Sequence, residues 1–216
     1  MGVTFLCSFF SSAAALLPAY SWFMSTQGTH IILETSRLVL RQFTEDDVDD
    51  LFDLNSDPEV MRYLTGGKPT PREEIRDRII PFHLGVYARF DRLGLWAAES
   101  ADGGEFLGWF CLRPGDHADT TNVELGYRLR RPAWNQGYAT EGSRALIRMG
   151  FTDLGVERVF ARTMTVNAGS RHVMEKCGLT FVRTISWERA DVFEGTERGE
   201  VEYALTRPEW KAGTAS

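Results

Sequence analysis

The chain has 216 residues, 43% of them hydrophobic and 25% charged, with 14 Phe and 6 Trp; that is enough apolar material for one buried core and excludes wholesale disorder. A formal net charge of -6 excludes a non-specific nucleic-acid binder, which needs a basic face to displace counterions from phosphate. Cysteines at Cys7, Cys111 and Cys177 and histidines at His30, His83, His117 and His172 form neither a disulfide framework nor a ligand set at metal spacing, so a reducing, cytoplasmic setting and no metal are expected.

Met1 to Thr29 carries no Asp, Glu, Lys or Arg. It lacks the basic start of a signal peptide, and Ser8, Ser11, Ser12 and Pro18 break it too often for a membrane span. Met24 offers a second start. Residues 1–29 therefore read either as a mis-assigned start or disordered appendage, or as a targeting or docking segment, and residues 30–212 are expected to fold as one domain.

Arg37 to Phe43 is strand-like, and Thr44-Glu45-Asp46-Asp47 resembles a capping box that starts a helix through Val48, Leu51, Phe52 and Leu54. Asp57-Pro58 caps a second short helix, with proline at the first helical position. Gly66-Gly67 breaks the chain before a third helix from Thr70-Pro71 through Ile75, Ile79 and Ile80, which Pro81 should kink or divide. Leu95 to Glu99 and Phe106 to Leu112 are joined by Ala101-Asp102-Gly103-Gly104, a hairpin-turn composition that predicts antiparallel pairing. Asn122 to Leu129 alternates Val123, Leu125, Tyr127 and Leu129 against Glu124, Gly126 and Arg128, the period of a strand with two different faces.

A long helical pattern follows Arg130-Arg131-Pro132, then a strand over Arg158 to Thr163, a helix over Ser170 to Cys177 closed by Gly178, and strands over Thr180 to Trp187 and Glu200 to Leu205. That order predicts a mixed, three-layer α/β domain. Its central, mostly antiparallel twisted sheet has six to seven strands with helices on its faces.

Two stretches carry chemistry. Trp134-Asn135-Gln136-Gly137-Tyr138-Ala139-Thr140-Glu141 stands between the alternating strand and the long helix. Gly137 permits close backbone approach, Ala139 keeps the first turn open, and the free N–H groups of a helix start attract anionic oxygen. The second stretch is Asn167-Ala168-Gly169-Ser170, continuing to Met174-Glu175-Lys176-Cys177-Gly178-Leu179. Together with the opening Thr35-Ser36-Arg37-Leu38-Val39-Leu40-Arg41 and the strand Glu124-Leu125-Gly126-Tyr127, these motifs resemble the Gcn5-related N-acetyltransferase superfamily and its RimJ/RimL-like branch. The resemblance spans about Ile32 to Trp210.

That resemblance implies acetyl-CoA as cosubstrate and a primary amine as acceptor. The branch name puts a protein or peptide N-terminal α-amino group first. Aminoglycosides, polyamines and amino acids stand as alternatives, as does a non-catalytic coenzyme A-binding module. The sheet is expected to splay between Asn122–Leu129 and Arg158–Thr163. Backbone groups of Leu125, Gly126 and Tyr127 would pair with the pantetheine arm like an added strand. Amides from Asn135, Gln136, Gly137, Tyr138, Ala139 and Thr140 would hold the diphosphate. Asn167 would bond the pantetheine, cap its helix, or do both.

Amine attack on a thioester needs a base for the ammonium proton and a donor for the leaving thiolate. Glu124 is the candidate base, the alternative being that it only pairs with an arginine, and carboxylates between Arg189 and Glu202 are runners-up. The resemblance gives the thiolate donor as Ser170, and a strand N–H near Leu125 or Gly126 would meet the oxyanion. Cys177, at a helix C-terminus where the dipole disfavours thiolate, is read as core. Trp96, Trp109 and Trp187 could wall an acceptor pocket, buried aromatics of a core being the commoner case. A homodimer is compatible with the sequence but not indicated by it.

Overall fold

The computed structural model describes residues 30–90, 92–115, 119–186 and 193–214. Eight strands form one sheet: β1 (Ile31–Glu34), β2 (Leu38–Gln42), β3 (Gly94–Ser100), β4 (Phe106–Pro114), β5 (Asn122–Leu129), β6 (Arg158–Met164), β7 (Thr180–Ile185) and β8 (Glu200–Thr206). Their spatial order is β1-β2-β3-β4-β5-β6-β8-β7. All neighbours are antiparallel except β5 and β6. Six to seven strands were expected; the additional one is β1, four half-exposed residues at the sheet edge whose side chains show no two-residue alternation.

Helices cover both faces. On one lie α1 (Val48–Ser56), α2 (Pro58–Thr65) and a helical stretch over residues 72–89, α3; on the other lie α4 (Tyr138–Asp153) and α5 (Ala168–Lys176), and α6 (Arg207–Thr214) ends the described chain. Alternation along the strands builds two cores. Leu95, Ala97, Trp109 and Cys111 meet Leu51, Leu54, Ile75 and Ile80, whereas Trp96, Phe110, Leu112 and Leu125 meet Leu146, Ile147 and Met174. Because β3 and β4 are covered on both sides, they read as nearly continuous apolar runs. Trp96 is fully buried in the second core and Trp109 is buried in the first, so both are packing residues; Trp187 lies outside the described residues. The leader 1–29 lies outside them as well.

Local chemistry sets the helix boundaries. The Asp47 carboxylate accepts the Thr44 N–H at 2.6 Å and a bond from Arg41 Nη2 at 2.7 Å, which ties β2 to the entry of α1. Asp57 accepts the Glu59 N–H at 2.9 Å, with Pro58 in the first position of α2. Pro81 does divide α3: the turn before it, Ile75–Ile79, widens into a π-helix, and the α-helix resumes over Ile80–Arg89. Proline has no N–H for the ladder and its ring needs room beside the carbonyl four residues back. Among the described residues no helix is long and apolar enough to cross a membrane.

Candidate active site

β5 and β6 run parallel and pair only at Asn122–Arg158, Val123–Val159 and Glu124–Phe160. Beyond Glu124 they separate, although β5 stays paired with β4 to Leu129 and β6 with β8 to Met164. The expected splay is therefore present. It leaves the backbone of Leu125, Gly126 and Tyr127 without a strand partner on the β6 side, which is the geometry an extended amide-bearing ligand needs. Gly126 has a packing reason of its own: a Cβ there would lie 2.9 Å from Cys111 Sγ.

The turn between β5 and α4 stands beside this opening. Asn135 and Gly137 both adopt left-handed backbone, at φ 59° and 85°, and α4 begins at Tyr138 with Gly137 as its N-cap. Left-handed residues at a helix entry turn main-chain N–H groups toward one concavity, a nest for an anion. The Trp134 indole donates to the Leu129 carbonyl at 2.8 Å, anchoring the turn to the end of β5 and spending its only donor. Ala139 and Thr140 follow in the first helical turn. Two turns' worth of α4 packs tightly enough on the sheet that a Cβ on Gly142 would sit 2.5 Å from the Phe110 ring.

Across the opening, β5 meets α5. The Tyr127 hydroxyl donates to Ser170 Oγ at 3.2 Å. Burial pushes the Tyr127 pKa well above the ordinary phenol range, only partly opposed by the Ser170 contact, so the hydroxyl stays protonated. Asn167 caps α5: its side-chain oxygen accepts the Ser170 N–H at 3.2 Å and its amide donates to Thr163 Oγ1 at 3.1 Å. Its side chain thus already joins the free end of β6 to the helix that carries Ser170. Cys177 is buried at the end of α5, and burial pushes its thiol up to about 11, as suits a core residue.

On the opposite face of the sheet, Glu124 occupies the vertex of the splay. Its Oε2 accepts from Arg113 Nε at 3.0 Å and Nη2 at 2.6 Å, leaving Oε1 without a hydrogen bond among the described residues. The arginine pairing weighed from sequence is therefore present, and it occupies only one oxygen. His83 of α3 is buried, and its Nε2 has no hydrogen-bond partner among the described residues. Burial, with Arg113 nearby, pushes its pKa down to about 3, so the imidazole is neutral. Glu202, a runner-up base, is bound instead by three guanidinium groups: Arg158 at 2.8 Å, Arg162 at 2.9 Å and Arg183 at 3.0 Å. Burial opposes its ionisation, but these partners outweigh that and hold the carboxyl at about 2, which makes it a poor proton acceptor. The runner-up Asp191 lies outside the described residues.

The end of α2 meets the chain that leads into β8. A Cβ on Gly66, at the end of α2, would lie 2.7 Å from Phe193 Cβ. Nearby, a cleft of about 240 Å³ is lined by Arg62, Tyr63, Val166, Glu194, Gly195, Glu197 and Arg198.

The end of β5–β6 pairing, the left-handed turn into α4 and the Tyr127–Ser170 contact thus lie on adjoining elements. Comparison with known proteins gives the family: residues 37–180 match the acetyltransferase (GNAT) domain family, and the chain belongs to that family. It is 35% identical over 184 residues to the FsC-acetyl coenzyme A-N(2)-transacetylase of Aspergillus fumigatus, covering 82% of this chain and 77% of that one. Spermidine N-acetyltransferase from Vibrio cholerae, solved with coenzyme A and spermine, has the same fold at TM-score 0.66 and 16% identity, covering 82% of this chain and 99% of that one. The ribosomal L7/L12 α-N-protein acetyltransferase RimL, solved with coenzyme A, superposes at TM-score 0.64 and 17% identity over 82% of this chain and 98% of that one. The chain is thus an acetyl-CoA-dependent N-acetyltransferase with an amine acceptor.

Proposed function

We propose that residues 30–212 act as one unit that acetylates the primary amine of a small molecule by direct attack on acetyl-CoA in a ternary complex. The observation that carries the proposal is the end of β5–β6 pairing at Glu124, with Tyr127 and Ser170 facing each other across the opening beyond it. In this reading Leu125, Gly126 and Tyr127 offer main-chain partners to the pantetheine arm. Asn135, Gln136, Gly137, Tyr138, Ala139 and Thr140 surround the diphosphate, and Asn167 holds β6 and α5 at the spacing the arm requires.

The amine nitrogen forms a bond to the thioester carbon as the carbon–sulfur bond breaks. Glu124 receives the amine's proton through water at its free Oε1, and a strand N–H near Leu125 or Gly126 meets the oxyanion. Ser170 protonates the departing thiolate and is itself supplied by the Tyr127 hydroxyl, already hydrogen-bonded to it.

The α-amino group of a protein or peptide ranked first from sequence. Two features now favour a small molecule. The cleft beside Tyr63 and Val166 is only about 240 Å³, and the relative that shares 35% identity is named an FsC-acetyl coenzyme A-N(2)-transacetylase. A panel of small amines and N-terminal peptides, read by release of coenzyme A thiol, tests both levels. Release with small amines is expected. Release with peptides alone would overturn the acceptor, and no release with any amine would overturn catalysis.

A further inference from the structure

One carboxylate sits where an anion is to be bound. Glu141 lies in the first turn of α4, four residues beyond the N-cap Gly137, and its N–H bonds the Gly137 carbonyl at 3.0 Å. A free carboxylate there would stabilise the helix through its dipole yet repel a diphosphate seated on the same amides. It is not free. The β1–β2 turn engages it fully: Oε1 accepts from Thr35 Oγ1 at 2.7 Å, Ser36 Oγ at 3.1 Å and the Arg37 N–H at 3.1 Å, and Oε2 accepts from Arg37 Nε at 2.6 Å.

Arg37 also grips the turn itself. Its Nη1 donates to the Gln136 carbonyl at 2.8 Å, its guanidinium lies 4.6 Å above the Tyr138 ring, and a Cβ on Gly137 would come within 3.3 Å of Nη2. In a trans peptide the C=O and the following N–H point in opposite directions, and no cis bond occurs among the described residues. Holding the Gln136 carbonyl toward Arg37 therefore turns the Gly137 N–H the other way.

We propose that Arg37 is a positioning residue for coenzyme A: it neutralises and draws aside Glu141, and it fixes the Gln136–Gly137 peptide so that its amide stays presented to the diphosphate. The inference rests on the diphosphate being seated at this turn. Arg37 touches no reacting atom. Its loss should therefore raise KM for acetyl-CoA and leave kcat at saturation unchanged, because the thioester end is held by β5 and α5.

The test compares wild type, Arg37→Ala, Arg37→Lys and the double variant Arg37→Ala with Glu141→Gln. Calorimetry reads acetyl-CoA affinity, and steady-state rates are taken with acetyl-CoA and with S-acetylpantetheine, which lacks the diphosphate. Arg37→Ala should weaken acetyl-CoA by about tenfold, the size of one charge-assisted contact, without changing KM for S-acetylpantetheine. The double variant should regain part of the loss, and Arg37→Lys should fall between. Unchanged acetyl-CoA affinity, or an equal penalty on both thioesters, would overturn the proposal. Should Arg37→Ala not fold, Arg37→Lys decides by the same comparison. Failure of wild type to bind acetyl-CoA would instead remove the diphosphate seat on which the inference stands.

Discussion

At the scale of single residues the proposed mechanism divides its labour between the two faces of the sheet. Tyr127 meets Ser170 of α5 on the face where that mechanism puts the leaving sulfur, and Glu124 lies on the opposite face, where it puts the amine. Ser170→Ala is expected to lower kcat by about 10- to 100-fold, within the range of a single general-acid contribution, with acetyl-CoA affinity within about twofold of wild type. Tyr127→Phe should do the same if it supplies Ser170; full activity in Ser170→Ala would remove the hydroxyl pair from the mechanism. Glu124→Gln should lower kcat by about 10- to 100-fold with acetyl-CoA affinity kept, whereas full activity would place the base elsewhere.

His83 gives a stability prediction with a definite sign. Its folded pKa of about 3 lies below the ordinary 6.5, so protons bind the unfolded chain more readily; the stability at stake is present above pH 6.5 and is lost as pH falls from 6.5 toward 3. Because Nε2 also lacks a partner, His83→Leu should raise stability at neutral pH by about 1–3 kcal/mol, the cost of an unsatisfied buried group. It should also flatten the melting-temperature profile across that window. A less stable His83→Leu protein would mean that Nε2 is satisfied in solution.

Among the elements, strand β5 and the turn into α4 were the most legible in the sequence, whereas the β5–β6 splay was expected only from the family resemblance. The two-residue period of Val123, Leu125, Tyr127 and Leu129 and the Gly137-Tyr138-Ala139-Thr140 entry are local signals, and local signals survive folding. Cross-strand partners are not local. Arg113 faces Glu124 through the β4–β5 register, and Arg37 reaches Glu141 across 104 positions, so neither pairing could be read before the sheet order was known. Gly142 shows the same limit. It sits in a helical stretch without any turn signal, and only the packing of α4 on β4 explains it. Gly142→Val should destabilise the fold by about 1–3 kcal/mol through overpacking against Phe110. Gly137→Val, strained at φ 85°, should chiefly weaken coenzyme A binding. Equal effects of both on stability and binding would contradict this separation of roles.

For the molecule as a whole, one sheet carries two unequal cores, and the functional opening lies where they give way to a polar layer. On the face that carries Glu124, apolar packing from α1, α2 and α3 ends near Trp109 and Cys111. Beyond it the sheet is dressed by Arg113 with Glu124, and by Arg158, Arg162 and Arg183 around Glu202. Glu202 joins β6, β8 and β7, and its carboxyl is held at about 2 against an ordinary 4.5. Its contribution is therefore present above pH 4.5 and is lost as pH falls toward 2. Glu202→Gln should lower the melting temperature at pH 7, with the gap to wild type closing between pH 4.5 and 2; a constant gap would mean that packing, not charge, is what the substitution removes.

In the proposed function coenzyme A lies along the unpaired edge of β5 with its diphosphate at the start of α4. Amide hydrogen exchange with and without acetyl-CoA tests that directly. The expected result is new protection at Leu125, Gly126 and Tyr127 and from Gly137 to Thr140, with little change in β1 or β7. Protection confined to other strands, with these amides exchanging as before, would contradict it.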